Sequence, residues 1–578
     1  MEFKFNSITF QTKTENNIKA QSIEQIQDGE ISIYKLKITF DGKQMPGPFK
    51  IEWNVPQIDM LGFWSSGSFH QHNISPDWWA RKIDSKSASG MPLACIYNKA
   101  NKNKLSVALS DPATPSRISA GAVEEDGTIL MQIELFSKPS LYIDSYEVEI
   151  YLDKREINLA STIRDARSYL ATKGYECAYI PCGAKAPVYS AWYSFHQNTY
   201  PDQIIKECEQ AREYGIKTLI LDDGWQTDDS SRGYAFCGDW KIATSKIPDM
   251  KDFVDKVHAL GMKFIIWFSV PFVGFQSENY ERFKKMYLGK RIGQGTAVLD
   301  PRFKEVREFL VQTYVSYVEK YGWDGLKLDF IDAFELTEES STDYDKMDTT
   351  SLEVGVERLL CEISDKLKEI NPEFLIEFRQ SYIGPVMAKY GNFFRVGDCP
   401  NDPISNRICS LDLRLTSDKI PVHSDMLMWN KDDTVEAVMY QLLAVMFSVP
   451  QISVRFDNIT SEHKRALKNY LDFWTKHRDT LLDGELEVYG IDADYTHAKA
   501  KKDWESVQVL YQSVVAKTDE NHTNYIFNST GNDEIYIESS CGLKCEVYSV
   551  YGSKLSEGII ENSLEKIKVP NCGMIKIY

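Results

Sequence analysis

The chain has 578 residues, of which 43% are hydrophobic and 26% charged, with a formal net charge of −18. That length exceeds one ordinary domain and points to about three. The acidity, with no basic patch along the chain, argues against sequence-independent nucleic-acid binding, and no apolar run approaches the length of a membrane span.

Residues 1–180 have strand texture. Ile31–Ile38, Thr128–Leu135 and Tyr146–Leu152 alternate apolar with polar side chains, and Asp41-Gly42 and Asp126-Gly127 supply turns. The expectation is an N-terminal antiparallel β-sandwich domain (a supersandwich), with a linker helix between Glu156 and Leu170. The opening residues Met1–Ser7 alternate too and lack the apolar stretch of a signal peptide, so none is expected within this sequence; a leader already removed stays open. The 11 cysteines are scattered and odd in number, without CxxC pairs or Cys/His clusters at zinc spacing. They read as reduced thiols in a cytoplasmic protein with no metal.

From 181 to 483 the texture changes. Strands are expected at 188–193, 217–222, 263–268, 325–329, 374–378, 393–396, 420–424 and 451–455. Helices are expected near 201–214, 249–260, 302–320, 350–370, 405–417, 432–446 and 459–478, with a short one at 382–390. Runs such as Leu219-Ile220-Leu221 and Phe264-Ile265-Ile266 are apolar on both faces, as a parallel sheet requires. Eight strand–helix units predict a (β/α)8 TIM barrel. Residues 484–578 return to strand texture, in Val507–Tyr511, Asn524–Phe527 and Glu534–Ile537, and predict a C-terminal antiparallel β-sandwich.

Barrel chemistry sits where strands end, and the polar residues gather there. The fourth strand presents Lys327 and Asp329 two residues apart, on one side of the strand. The second ends in Asp222-Asp223-Gly224-Trp225, the third in Trp267-Phe268, the fifth in Glu377-Phe378-Arg379-Gln380. The sixth ends in Arg395-Val396-Gly397-Asp398, with Asn401 and Asp402 beyond, the seventh in His423-Ser424-Asp425, the first in Trp192 and Tyr193. Such a rim serves either a divalent metal or a carboxylate pair acting on a glycosidic bond. The sugar reading is preferred. His423 is the one histidine expected at a strand end, and Lys327 beside Asp329 repels a cation. The 12 Trp and 31 Tyr also suit sugar faces.

These residues resemble the α-galactosidases of glycoside hydrolase family 36. Asp222-Asp223-Gly224-Trp225 looks like the family's DDGW strand end, and Gly238-Asp239-Trp240, Ile247-Pro248 and Gly261-Met262-Lys263 resemble its next stretch. Lys327-Leu328-Asp329 looks like its K-x-D nucleophile motif, and Gly397-Asp398 stands where it places its acid/base. The resemblance covers most of 185–410, in order. It implies a cofactor-free retaining enzyme with Asp329 as nucleophile and Asp398 as acid/base. Asp222 and Asp223 would hold the 4- and 6-hydroxyls of a galactose-like ring, and Lys327 would bind hydroxyls and keep Asp329 ionised. Trp192, Trp225 and Trp267 would shape the pocket, with Arg379, Arg395 and Asp402 at the substrate's edge. An acid/base must carry a proton near neutral pH, so Asp398 is expected to have a raised pKa. Asp402 competes with Asp398 for this role.

Three departures stand out. Arg379-Gln380-Ser381-Tyr382 replaces a Cys-Ser-Gly-Gly-rich turn, Ser269-Val270-Pro271 replaces Glu-Pro-Glu, and Gln294 stands near an expected arginine. The implied activity is exo-hydrolysis of terminal α-galactosyl groups on small carbohydrates. An α-N-acetylgalactosaminidase is the alternative because of Arg379, and a silent carbohydrate-binding protein is the alternative of another class. The resemblance also raises the expectation of a homo-oligomer.

Overall fold

Burial alternates along the N-terminal strands as the sequence pattern requires. In Ile31–Gln44 every second side chain is buried over the first ten residues, which pairs one wet face with one dry face. The computed structural model describes residues 1–6, 8–67, 70–140 and 142–578. Its first 153 residues form a seven-stranded and a six-stranded sheet. Phe10, Ile51, Trp53 and Ile133 from one sheet meet Tyr34, Leu36, Val107 and Ile150 from the other in a single core. The helix Leu159–Ala171 follows, capped by Asn158, whose side chain accepts from the Ala160 N–H.

Eight parallel strands then close into a barrel. They are Val188–Ser190, Thr218–Leu221, Lys263–Ser269, Gly325–Asp329, Leu375–Arg379, Phe393–Arg395, Val422–Leu427 and Val449–Ile452. Apart from strand ends at Lys263 and Arg379, every residue in them is buried, the condition that near-continuous apolar runs satisfy. The fourth strand begins with Gly325 for a steric reason: a Cβ there would lie 2.6 Å from the Leu375 carbonyl oxygen on the fifth. The last part of the chain forms seven- and three-stranded sheets around Leu510, Ile526, Ile537 and Ile575.

Three expectations need correcting. The connection after the fifth strand holds only a single 3-10 turn, Met387–Lys389, because its residues are spent on a turn that returns to the barrel mouth. A three-stranded sheet, Phe272–Gly274, Tyr287–Arg291 and Thr296–Leu299, sits after the third strand where no strand was expected. The seventh strand runs on to Leu427, so His423 lies deep in the barrel rather than at its rim. Its Nε2 meets the Ala184 carbonyl at 2.8 Å, and burial lowers its pKa to about 4.

The flanking sheets grip the barrel. Lys86 Nζ donates to the carbonyls of Asp332 and Phe334, both at 3.0 Å, just beyond the fourth strand. The approach at Gly384 (φ +123°) is close enough that a Cβ would meet the Gly90 carbonyl oxygen at 2.0 Å. Trp64 from the first domain donates its indole N–H to Asp412 of the barrel at 2.9 Å, and Tyr495 of the last domain donates to the same carboxylate oxygen.

Glu353, in the first turn of the helix Leu352–Ile370, is buried near Lys86 and Ser140, and burial lifts its pKa from 4.5 to about 7. The folded state therefore holds this proton more tightly than the unfolded chain. The stabilisation is complete below about pH 4.5 and is lost as pH rises through about 7. Glu353→Gln should raise the melting temperature by about 1–3 °C at pH 8 and change it little at pH 5; equal shifts at both pH values would contradict this.

Candidate active site

Asp329 ends the fourth barrel strand, pointing to the same side as Lys327. Its side chain is 8% exposed. Oδ1 accepts the Phe330 N–H at 2.8 Å, Arg379 Nε at 3.0 Å and the Tyr382 hydroxyl. Among the described residues, Oδ2 accepts only the Trp267 indole N–H, at 2.8 Å. One oxygen is thus saturated, and the other keeps a lone pair for chemistry. Burial alone would raise this carboxyl's pKa. The charges of Arg379 and then Lys327, with the Tyr382 and Trp267 hydrogen bonds, outweigh burial and hold it below the usual range.

Lys327 has a different direct partner from the one anticipated. Its ammonium lies 2.5 Å from Asp222 Oδ2, both side chains almost wholly buried. Asp222 Oδ1 accepts the Asp223 N–H at 2.9 Å. Asp223 is held by two amides, Gln226 Nε2 at 2.6 Å and Gln197 Nε2 at 2.7 Å. Burial, aided by the neighbouring Asp222 charge, lifts its pKa to about 6 against those two hydrogen bonds.

Arg395, on the sixth strand, is buried and spent on carboxylates rather than facing a ligand. Nη1 binds Asp425 Oδ1 at 2.6 Å, Nη2 binds Asp398 Oδ1 at 2.9 Å, and Nε lies 3.6 Å from Glu377 Oε1. Asp425 in turn accepts the Tyr193 hydroxyl at 2.8 Å and the Cys399 N–H at 2.7 Å, which ties down the segment carrying Asp398. Asp398 has a half-exposed side chain, and its Oδ2 has no hydrogen-bond partner among the described residues. The expectation of a raised pKa is corrected. Burial acts in that direction, but Arg395, Arg379 and Lys327 together push the carboxyl well below the ordinary range.

Asp402 is committed elsewhere. It caps the helix Pro403–Thr416, its Oδ1 accepting the N–H groups of Ile404 and Ser405 at 3.1 and 3.0 Å and its Oδ2 the Ser405 hydroxyl at 2.5 Å. Trp225 is also displaced from its expected place. It is fully buried behind Trp267, donating to that residue's carbonyl at 2.8 Å and stacking on Trp240. Trp192 stays at the mouth, half-buried and stacked on His196 at 3.8 Å.

Sequence reasoning missed Tyr382, Gln197, Gln226 and Tyr234, the last stacking on Trp267 at 6.1 Å. Gln226 directly follows the Asp222–Trp225 motif and Tyr382 closes the turn after Arg379, so both were within reach, whereas Gln197 and Tyr234 lie in loops away from any motif. Among the described residues, no group of three or more His, Cys, Asp or Glu side chains is placed to hold a metal ion, and no helix is long and apolar enough to cross a membrane.

Residues 183–385 match the family model described as Melibiase. The chain is 24% identical over 326 residues to α-galactosidase AgaA of Geobacillus stearothermophilus, covering 54% of this chain and 42% of that protein. It is 27% identical over 147 residues to α-galactosidase Mel36A of Lactobacillus acidophilus, covering 24% and 20%. The matched stretches thus take in less than half the length of these relatives. In fold, the chain is similar throughout to the crystal structure of the AgaA GH36 α-galactosidase in complex with stachyose, with TM-score 0.65 and 13% identity, covering 100% of this chain and 90% of that one.

The capping geometry of Asp402 predicts its variant. Asp402→Ala should cost about 0.5–2 kcal/mol of stability through its helix. Urea unfolding monitored by circular dichroism measures this, and an unchanged midpoint would refute the capping role.

Proposed function

We propose that this chain, whose residues 183–385 match the Melibiase model and whose fold is similar throughout to that of a GH36 α-galactosidase, is a retaining, exo-acting α-galactosidase. The observation that carries the reading is the state of Asp329: a buried carboxylate, kept charged, with one oxygen saturated and the other held, among the described residues, by the Trp267 indole alone. This is the condition of a nucleophile.

In the first step Oδ2 of Asp329 attacks the anomeric carbon, and the bond to the leaving oxygen breaks as Asp398 gives that oxygen a proton. A β-linked glycosyl ester on Asp329 results. In the second step Asp398, now ionised, takes a proton from water, water attacks the same carbon, and Asp329 leaves as carboxylate. Arg379 and Tyr382 on Oδ1 act in both steps: they hold the attacking group in place, then stabilise the charge returning to it. Asp222, Asp223 and Lys327 offer acceptors and a donor for ring hydroxyls beside Trp267.

Asp398 begins in the wrong protonation state for its first task. Its pKa is depressed in the free enzyme, and a leaving group packed over its open side displaces water and raises that pKa. The free enzyme governs kcat/KM and the complex governs kcat. For a substrate with a poor leaving group, such as raffinose, kcat/KM should therefore fall with rising pH at least about one unit earlier than kcat. Coincident limbs near neutral pH would refute this account.

The nucleophile is tested directly. Asp329→Ala should lower hydrolysis of an aryl α-galactoside on the order of 10³-fold or more, and added azide should restore turnover, yielding β-galactosyl azide. Near wild-type activity in this variant, or an α-galactosyl azide product, would sink the assignment.

A further inference from the structure

A cleft lies across the barrel from the fourth strand, among the loops that follow the first, seventh and eighth strands. It encloses about 490 Å³, inside the range of about 300–1,000 Å³ typical of ligand sites. Tyr193 and Ser194 come from the first loop, Trp429 and Lys431 from the seventh, Arg455 and Asn458 from the eighth. We propose that this cleft binds the phosphate group of a small phosphorylated sugar, at a site separate from the carboxylate pair. The site is judged by binding and does not depend on the glycosidase reading.

The charge of the lining has one sign. Lys431 and Arg455 contribute to it, and among the described residues that line the cleft none is acidic. Lys431 is exposed and makes no ion pair or hydrogen bond among the described residues. Asp432 and Asp433 follow it but lie outside the lining, and Asp433 Oδ2 accepts the Asn430 N–H at 2.8 Å. Asp425 also lies outside, behind Tyr193, whose hydroxyl donates to it at 2.8 Å. On a chain of net charge −18, two cations without a carboxylate make a local field that attracts an anion.

Arg455 is presented to the cleft rather than neutralised. Its guanidinium lies over the Phe195 ring at 4.2 Å, and its Nε donates to the Ser194 carbonyl at 3.2 Å. Nη2 lies 3.5 Å from Gln203 Oε1, and Nη1 has no acceptor among the described residues. Glu207, close enough for its charge to feel Arg455, accepts the Phe456 N–H at 2.8 Å instead. Arg379 and Arg395, on the same rim, are each tied to carboxylates. A stacked guanidinium with an open edge suits the oxygens of a phosphate.

The wall also holds a donor without an acceptor. Trp429 is 8% exposed, and its buried indole N–H has no hydrogen-bond partner among the described residues. Such a group costs about 1–3 kcal/mol when left unpaired, and an oxygen of a bound anion removes that cost. Barrel folds repeatedly hold phosphate at the loops after strands seven and eight, which supply two of the three walls here. The cleft is larger than a bare phosphate needs, and Asn430 and Asn458 add amides for the hydroxyls of an attached sugar.

Isothermal titration calorimetry on the full chain tests this with glucose 6-phosphate, inorganic phosphate and glucose. Glucose 6-phosphate should bind with a Kd of about 1 mM or tighter, and glucose should give no heat of binding. Inorganic phosphate should bind at least about tenfold more weakly than the sugar phosphate; equal affinities would overturn the sugar in favour of the free anion. Lys431→Ala, at an exposed position, should weaken glucose 6-phosphate binding about tenfold, and so should Trp429→Phe, which keeps a ring and removes the donor. Lys431→Ala decides the matter if Trp429→Phe does not fold. No binding of glucose 6-phosphate by the wild-type protein, or binding unchanged in either folded variant, would overturn the proposal.

Discussion

A carboxylate taken out of water stays charged only if its surroundings replace what water gave it. Stripping one of solvent costs several kcal/mol. Around Asp329 that cost is met by the Arg379 guanidinium, the Tyr382 hydroxyl, the Trp267 indole and a backbone N–H. These groups come from the third, fourth and fifth barrel strands and the turn behind the fifth. None is near another in sequence except Arg379 and Tyr382, so the charge on Asp329 depends on barrel closure. In the proposed reaction the arginine has opposing effects: it makes Asp329 a weaker base, and it makes the same carboxylate a better leaving group from the glycosyl ester.

Arg395 organises the other half of the rim in a similar way. One buried guanidinium serves Asp425 and Asp398 by hydrogen bonds and faces Glu377. Three carboxylates around one cation leave excess negative charge, and burial raises the pKa of both Glu377 and Asp425, pushing these two inner groups toward their neutral forms. The outermost, Asp398, keeps its charge and its exposure. The gradient from barrel interior to mouth places the ionised member where a substrate would arrive.

The architecture was legible from sequence because parallel barrel strands are apolar on both faces and the helices between them carry a 3.6-residue period. The expected strands at 263–268 and 325–329 lie within those observed, and the one at 217–222 overruns Thr218–Leu221 by one residue at each end. The small sheet at 272–299 was missed because its strands are only three to five residues long and embedded in a loop, too short for a period to show. In the site, strand ends exposed Asp222, Asp223, Lys327, Asp329 and Asp398 as a set. Their pairing was hidden. Two residues of separation suggested that Lys327 serves Asp329, whereas barrel curvature brings it to Asp222, 105 positions away in the chain. Asp398 and Asp402 looked equivalent until the cap at Ile404 and Ser405 claimed the second. Periodicity gives the direction of a side chain and is silent about its neighbour on another strand.

Trp64, Asp412 and Tyr495 come from the first, middle and last parts of the chain and meet on one carboxylate oxygen. Such a junction makes the flanking domains poor modules. Removing either would strip a donor from a nearly fully buried acid and expose the barrel helix that bears it, Pro403–Thr416, which Asp402 caps. Shuffling of these domains among barrels is thus constrained by a single shared atom, and recombination that respects it must exchange all three contributors together.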